Sequence, residues 1–187
     1  MIPALRDVSL ILLLTPCLLC LLVPIAAMVG VTTGTATTMV KKLAASKLAK
    51  YERFGGVTLT TKGEKQAARM AKWLDRQLPD TARILCSPAR RTEQTVAALG
   101  RKYKLDPDLG PDATAAQLLQ RVQWPDASST VLVVGHQPTL GQVAAQLLGL
   151  PEAECSIGKG AVWWLRHKPG EAGAITVIVT VQTPQML

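Results

Sequence analysis

At 187 residues the chain is long enough for one well-buried domain and short for two. Its net charge of +8 is split, with six basic and two acidic side chains in residues 1–56 and fifteen against eleven in residues 57–187. In the second part basic residues alternate with acids along the predicted helices and no aromatics are interleaved, which argues against a nucleic-acid platform.

Residues 1–40 read as a hydrophobic segment and linker. No charge falls between Asp7 and Lys41, and Val8 to Val31 is almost wholly apolar. That is enough for a bilayer crossing, which takes about 20 residues. Three accounts stand side by side: a secretory signal, a membrane anchor through residues 8–31, and a mistranslated start. Lys41, Lys42, Lys47 and Lys50 come after the run, so an anchor would leave the main domain facing the cytoplasm. The location expected is cytoplasmic, with or without that attachment. Cys17 and Cys20 lie inside the run without a second ligand pair, and with Cys86 and Cys155 they form no disulfide framework. Residues 41–56 read as a basic linker, with a short helix over 41–51 and a break at Gly55-Gly56.

Residues 57–187 read as a conventional α/β domain. Thr61 and Glu64 have capping-box spacing and start a helix that runs to about Leu78, with Ala67, Met70, Ala71, Leu74 and Leu78 on its inner face. A strand ends at Cys86. Ser87 then caps a helix over about 88–103, with Pro88 in its first position. A loop rich in Asp, Pro and Gly fills 104–113, and a helix runs from Ala115 to Val122. Thr130 to Val134 reads as a buried strand, and Pro138 opens a helix that Gly149 ends. Two β-rich runs, from Ala161 to Arg166 and from Ala174 to Val181, flank a polar loop and predict a hairpin.

Two strand ends carry the chemistry. His136 comes after Gly135 at the end of one strand, and Arg91 lies in the first turn of the helix after the other. Helix amino-termini attract anions, and a guanidinium fits two phosphate oxygens at once. If both strands are parallel, Arg91 and His136 meet at one sheet edge with Ser87 and Gly135 beside them. That set suits a phosphate. No metal-ligand cluster and no cofactor are expected.

Three blocks carry a resemblance: Leu59-Thr60-Thr61-Lys62-Gly63, the stretch Ser87-Pro88-Ala89-Arg90-Arg91-Thr92-Glu93-Gln94-Thr95, and Val133-Val134-Gly135-His136-Gln137-Pro138. From about Val57 to Val181 the chain resembles the histidine phosphatase superfamily, and within it the phosphohistidine phosphatases of the SixA type. The resemblance implies a phosphoglycerate-mutase-like fold: a three-layer αβα sandwich on a mainly parallel sheet with a C-terminal β-hairpin. It implies Arg91 as phosphate ligand, His136 as second catalytic histidine, and Arg90 as a neighbour only. It implies a phosphorylated histidine-containing signalling (phosphorelay) protein as partner, and no cofactor. The family's leading Arg-His step, at the end of a central first strand, is not found. The stretch matched to it, Thr35 to Leu48, has neither residue, and the first strand is expected to be missing unless Val29 to Val40 replaces it. His167 comes directly after Arg166 but reads as a surface residue of the late hairpin. Without that nucleophile the chain reads either as an active phosphatase or as a silent phosphate-binding module or truncated product.

Overall fold

A computed structural model describes residues 8–14, 49–52, 56–168 and 175–187. The strands are β1 (Val8–Leu14), β2 (Ala49–Glu52), β3 (Gly56–Leu59), β4 (Arg83–Cys86), β5 (Lys104–Leu105), β6 (Val131–Gly135), β7 (Val162–Lys168) and β8 (Ile175–Gln182). The helices are α1 (Thr61–Asp75), α2 (Arg90–Ala97), α3 (Ala115–Val122) and α4 (Thr139–Leu148), with a 3-10 turn at Pro107–Leu109.

Six strands form one sheet in the order β5-β4-β6-β1-β7-β8. The first four are parallel, and β7 and β8 run antiparallel as the expected hairpin. Strand side chains alternate between two faces, and each face has its own core. Leu10, Leu12, Val131 and Val133 pack with Leu118 of α3 and Leu140 and Val143 of α4. Ile11, Leu13, Leu132 and Val134 pack with Met70 and Leu74 of α1 and Val96 of α2. The molecule is the three-layer α/β sandwich anticipated, on a mainly parallel sheet.

The largest correction concerns β1. The first strand is not missing. Val8–Leu14 is a strand buried along its whole length, paired in parallel with β6 and antiparallel with β7. An apolar run with no amphipathic period suits a strand covered on both faces as well as it suits a bilayer helix. Residues 8–14 are therefore not part of a membrane-crossing helix, and among the described residues no helix is long and apolar enough to cross a membrane. The rest of the 8–31 run and the Val29–Val40 replacement lie outside the described residues. The first strand therefore lies at Val8–Leu14, upstream of the Thr35–Leu48 stretch that the sequence had matched to it.

Three local expectations also shift. Residues 49–51, placed in a basic helix, belong to the strand Ala49–Glu52, which pairs antiparallel with Gly56–Leu59; Gly56 opens that second strand, and Gly55 lies outside the described residues. The first cap falls one residue early: Thr60, not Thr61, caps α1, its hydroxyl accepting from the Gly63 amide at 3.3 Å. The helix after β4 is shorter than expected, Arg90–Ala97, and its N-cap is Ala89 with no side-chain cap bond. Ser87 is thereby released for another task.

Candidate anion site at the carboxyl ends of the strands

Register sets the site. Leu14 lies opposite Gly135, and Cys86 lies opposite Val134, so β1, β6 and β4 end at one level. The Ser87 amide donates to the Val134 carbonyl at 3.1 Å and carries that alignment one residue further. The crevice beyond strand ends is where open α/β sheets bind ligands. His136 stands there, one residue past β6.

Arg91 and His136 meet as the two strand ends predicted. Arg91 Nη2 lies 3.0 Å from His136 Nδ1, and His136 Nε2 lies 2.7 Å from Ser87 Oγ. The partners decide the tautomer. A guanidinium only donates, so Nδ1 accepts, and the proton sits on Nε2, which donates to the Ser87 hydroxyl. Burial, and then the charge of Arg91, push the imidazole pKa down from 6.5 to about 3. His136 is therefore neutral near pH 7.

This geometry also argues against Ser87, Cys86 and His167 as a substitute nucleophile. A serine beside a histidine invites a Ser-His dyad, but here Nε2 holds the proton it would need to accept. Burial pushes the neighbouring Cys86 thiol up to about 12, so it stays protonated and inert. His167 does not serve either. It is a β7 residue opposite Val8, at the far end of β1 from Leu14 and Gly135, with its ring 5.6 Å from that of Trp124. It is a half-buried strand residue, not the surface residue expected, and it is remote from the strand ends that carry the site.

The turn that presents Arg91 is held by hydroxyls. Thr92 Oγ1 donates to the Ser87 carbonyl at 2.8 Å and also contacts the Ala89 carbonyl, and Thr95 Oγ1 donates to the Arg91 carbonyl at 2.8 Å. Gln94 joins two of the sequence blocks, its Oε1 accepting from the Leu59 amide at 2.9 Å. Its place in the second block was visible in the sequence, but its role was not. Arg90 is exposed and lines a cavity of about 350 Å³ with Thr60, Thr61, Glu64 and Gln94, so it is a neighbour of the site as expected.

On the His136 side, Gln137 is a brace that sequence reasoning missed. Its Oε1 accepts from the Gly141 amide at 2.8 Å and its Nε2 donates to the Cys155 carbonyl at 3.1 Å, tying α4 to the 151–160 loop. Gly141 makes this fit, since a Cβ there would stand 2.2 Å from the Cys155 carbonyl oxygen. Gly135 is less constrained: a Cβ would meet only Leu140, at 3.4 Å. Among the described residues no group of three or more His, Cys, Asp or Glu is placed to hold a metal ion.

Comparison with known proteins fits this picture. The sequence model of the histidine phosphatase superfamily (branch 1) matches residues 43–114, which include Arg91. The phosphohistidine phosphatase SixA of Escherichia coli K12 is 32% identical over 97 residues, 48% of this chain and 60% of that protein. An uncharacterised protein of Mycobacterium leprae is 30% identical over 100 residues, 49% of this chain and 58% of that protein. The matched stretches thus span about three-fifths of these relatives. The solved structure of the protein histidine phosphatase SixA with tungstate superposes with a TM-score of 0.64 at 19% identity, covering 95% of this chain and 98% of that one, which speaks for the fold. Over the matched residues the chain resembles the histidine phosphatase superfamily. Within it, the SixA-type phosphohistidine phosphatases are the group it resembles.

Proposed function

We propose that this chain binds the phosphoryl group of a phosphohistidine on a signalling protein and is a hydrolase of the SixA type. The observation that carries this reading is the 3.0 Å contact between Arg91 and His136 where the parallel strands end. The guanidinium offers a fork to two oxygens of a phosphoryl group, and the imidazole beside it offers a third polar contact. An arriving dianion offsets the charge of Arg91, which favours protonation of His136, so capture of the anion is coupled to proton uptake. The site so formed stabilises developing negative charge. No cofactor enters this scheme.

A second reading rests on a specific observation. The family's nucleophilic histidine belongs at the end of the central strand, and Leu14 is succeeded by Thr15-Pro16. Covalent phosphoryl transfer then has no first partner, and the chain acts as a phosphate-binding module. One experiment separates the two. Phosphoramidate and a phosphohistidine peptide are offered to the wild type and to His136→Ala, with sulfate binding monitored by thermal shift. Turnover abolished in His136→Ala supports the hydrolase, and sulfate binding without turnover supports the module. If sulfate gives no shift and no substrate is turned over, both readings fall.

A further inference from the structure

The chain's basic and acidic residues alternate in order, but on α1 they do not alternate in space. Lys62, Lys65, Arg69, Lys72 and Arg76 are all exposed and succeed one another at spacings of three, four, three and four. At 3.6 residues per turn they fall within an arc of about 80° and extend along about 21 Å of helix. The two acids of α1, Glu64 and Asp75, lie outside that arc. Asp75 already accepts from Arg101 Nε at 2.8 Å, and Glu64 lines the cavity beside Arg90. Among the described residues none of the five cations has an ion-pair partner. Like charges three and four apart weaken a helix. A single-sign row of this length is therefore a local cost that an exposed helix face need not carry.

The row begins beside the anion site. Thr60 and Thr61, at its amino end, share the Arg90 and Gln94 cavity, and Gln94 fastens Leu59 to the helix that presents Arg91. We infer that the α1 row docks an acidic helix of the phosphoprotein whose phosphoryl group reaches Arg91 and His136. Neighbouring same-face residues of a helix stand about 5–6 Å apart, so a row of carboxylates on a second helix matches the cations one for one. Same-face residues of an extended segment are about 6.7 Å apart and lose register within a few contacts. Duplex phosphates wind around their axis and meet a straight row only where a strand crosses it. This inference rests on the proposal that the substrate is a phosphoprotein.

The test uses the full chain and a helical peptide with glutamates at alternating three and four spacing on one face, read by fluorescence anisotropy. A scrambled peptide of the same composition, phosphatidylserine vesicles and a DNA duplex are the other arms. The row peptide is expected to bind best, and Lys65→Glu with Arg69→Glu and Lys72→Glu is expected to weaken it by more than about tenfold. The thermal shift given by sulfate stays unchanged in that variant. Arg91→Ala does the reverse, losing the sulfate shift and keeping the peptide. Equal binding of the scrambled peptide, tighter binding of vesicles or duplex, or no effect of the triple reversal overturns the docking surface. Loss of the sulfate shift from the wild type alone would sink the anion site and leave the row standing.

Discussion

β1 and β6 are neighbours in the middle of the sheet, parallel, wholly buried and built from the same kinds of residue. Their carboxyl ends differ. Beyond Gly135 stands His136, held between Arg91 and Ser87. After Leu14 the sequence continues Thr15-Pro16. Burial of apolar side chains builds the strand, and it is indifferent to the residue that comes next. The two strands share their packing, and the Arg91–His136 contact stands at the end of β6.

The most forceful way to break this comparison is to supply the missing step. Thr15→Arg with Pro16→His is expected to raise phosphoramidate hydrolysis above that of the wild type and to trap a phosphoenzyme, read by phosphate release and intact mass. No gain in turnover would mean that the defect extends beyond the nucleophile. Next in size is the packing of β1 itself. Leu12 is fully buried, and Leu12→Ala is expected to cost about 2–5 kcal/mol in urea unfolding. A loss under about 0.5 kcal/mol, the level of a surface change, would remove β1 from the sheet centre. Arg91→Ala comes third. Charge-assisted hydrogen bonds are worth about 1.5–3 kcal/mol, so sulfate or phosphate affinity should fall roughly ten- to a hundredfold in calorimetry.

The smallest effect sharpens the His136 side. Its pKa is pushed down from 6.5 to about 3, so between those values the unfolded chain binds more protons than the folded one. The stability this gives is complete above about pH 6.5 and drains away as the pH falls toward about 3, at no more than about 1.4 kcal/mol per pH unit. His136→Gln has nothing to titrate there and should show a flatter melting profile between pH 7 and 4. Identical slopes for the two proteins would place the imidazole in water.

Much of the α/β domain was legible in the order of its residues. Strand ends, proline-led helices and a helical stripe pointed to the αβα layering, and the same logic brought Arg91 to His136. Three things were hidden, each for a physical reason. β1 was hidden because a run apolar on every side serves a bilayer and a sheet centre alike. The role of Ser87 was hidden because a serine before a helix is equally a cap or a hydrogen-bond partner for something across the sheet. The α1 row was hidden because alternation along a chain does not reveal angle around an axis. His167, set aside in the sequence as a surface residue, occupies a strand, and only register shows that it faces the wrong end of the sheet.

Gly141 shows how far the site's tolerance reaches. It lies on α4, and the loop backbone rests where its side chain would stand. Adding one methyl group there would lift the loop off the helix, release Gln137 and let the imidazole wander. A residue chosen for having nothing to offer thus keeps the aim of the histidine beside Arg91.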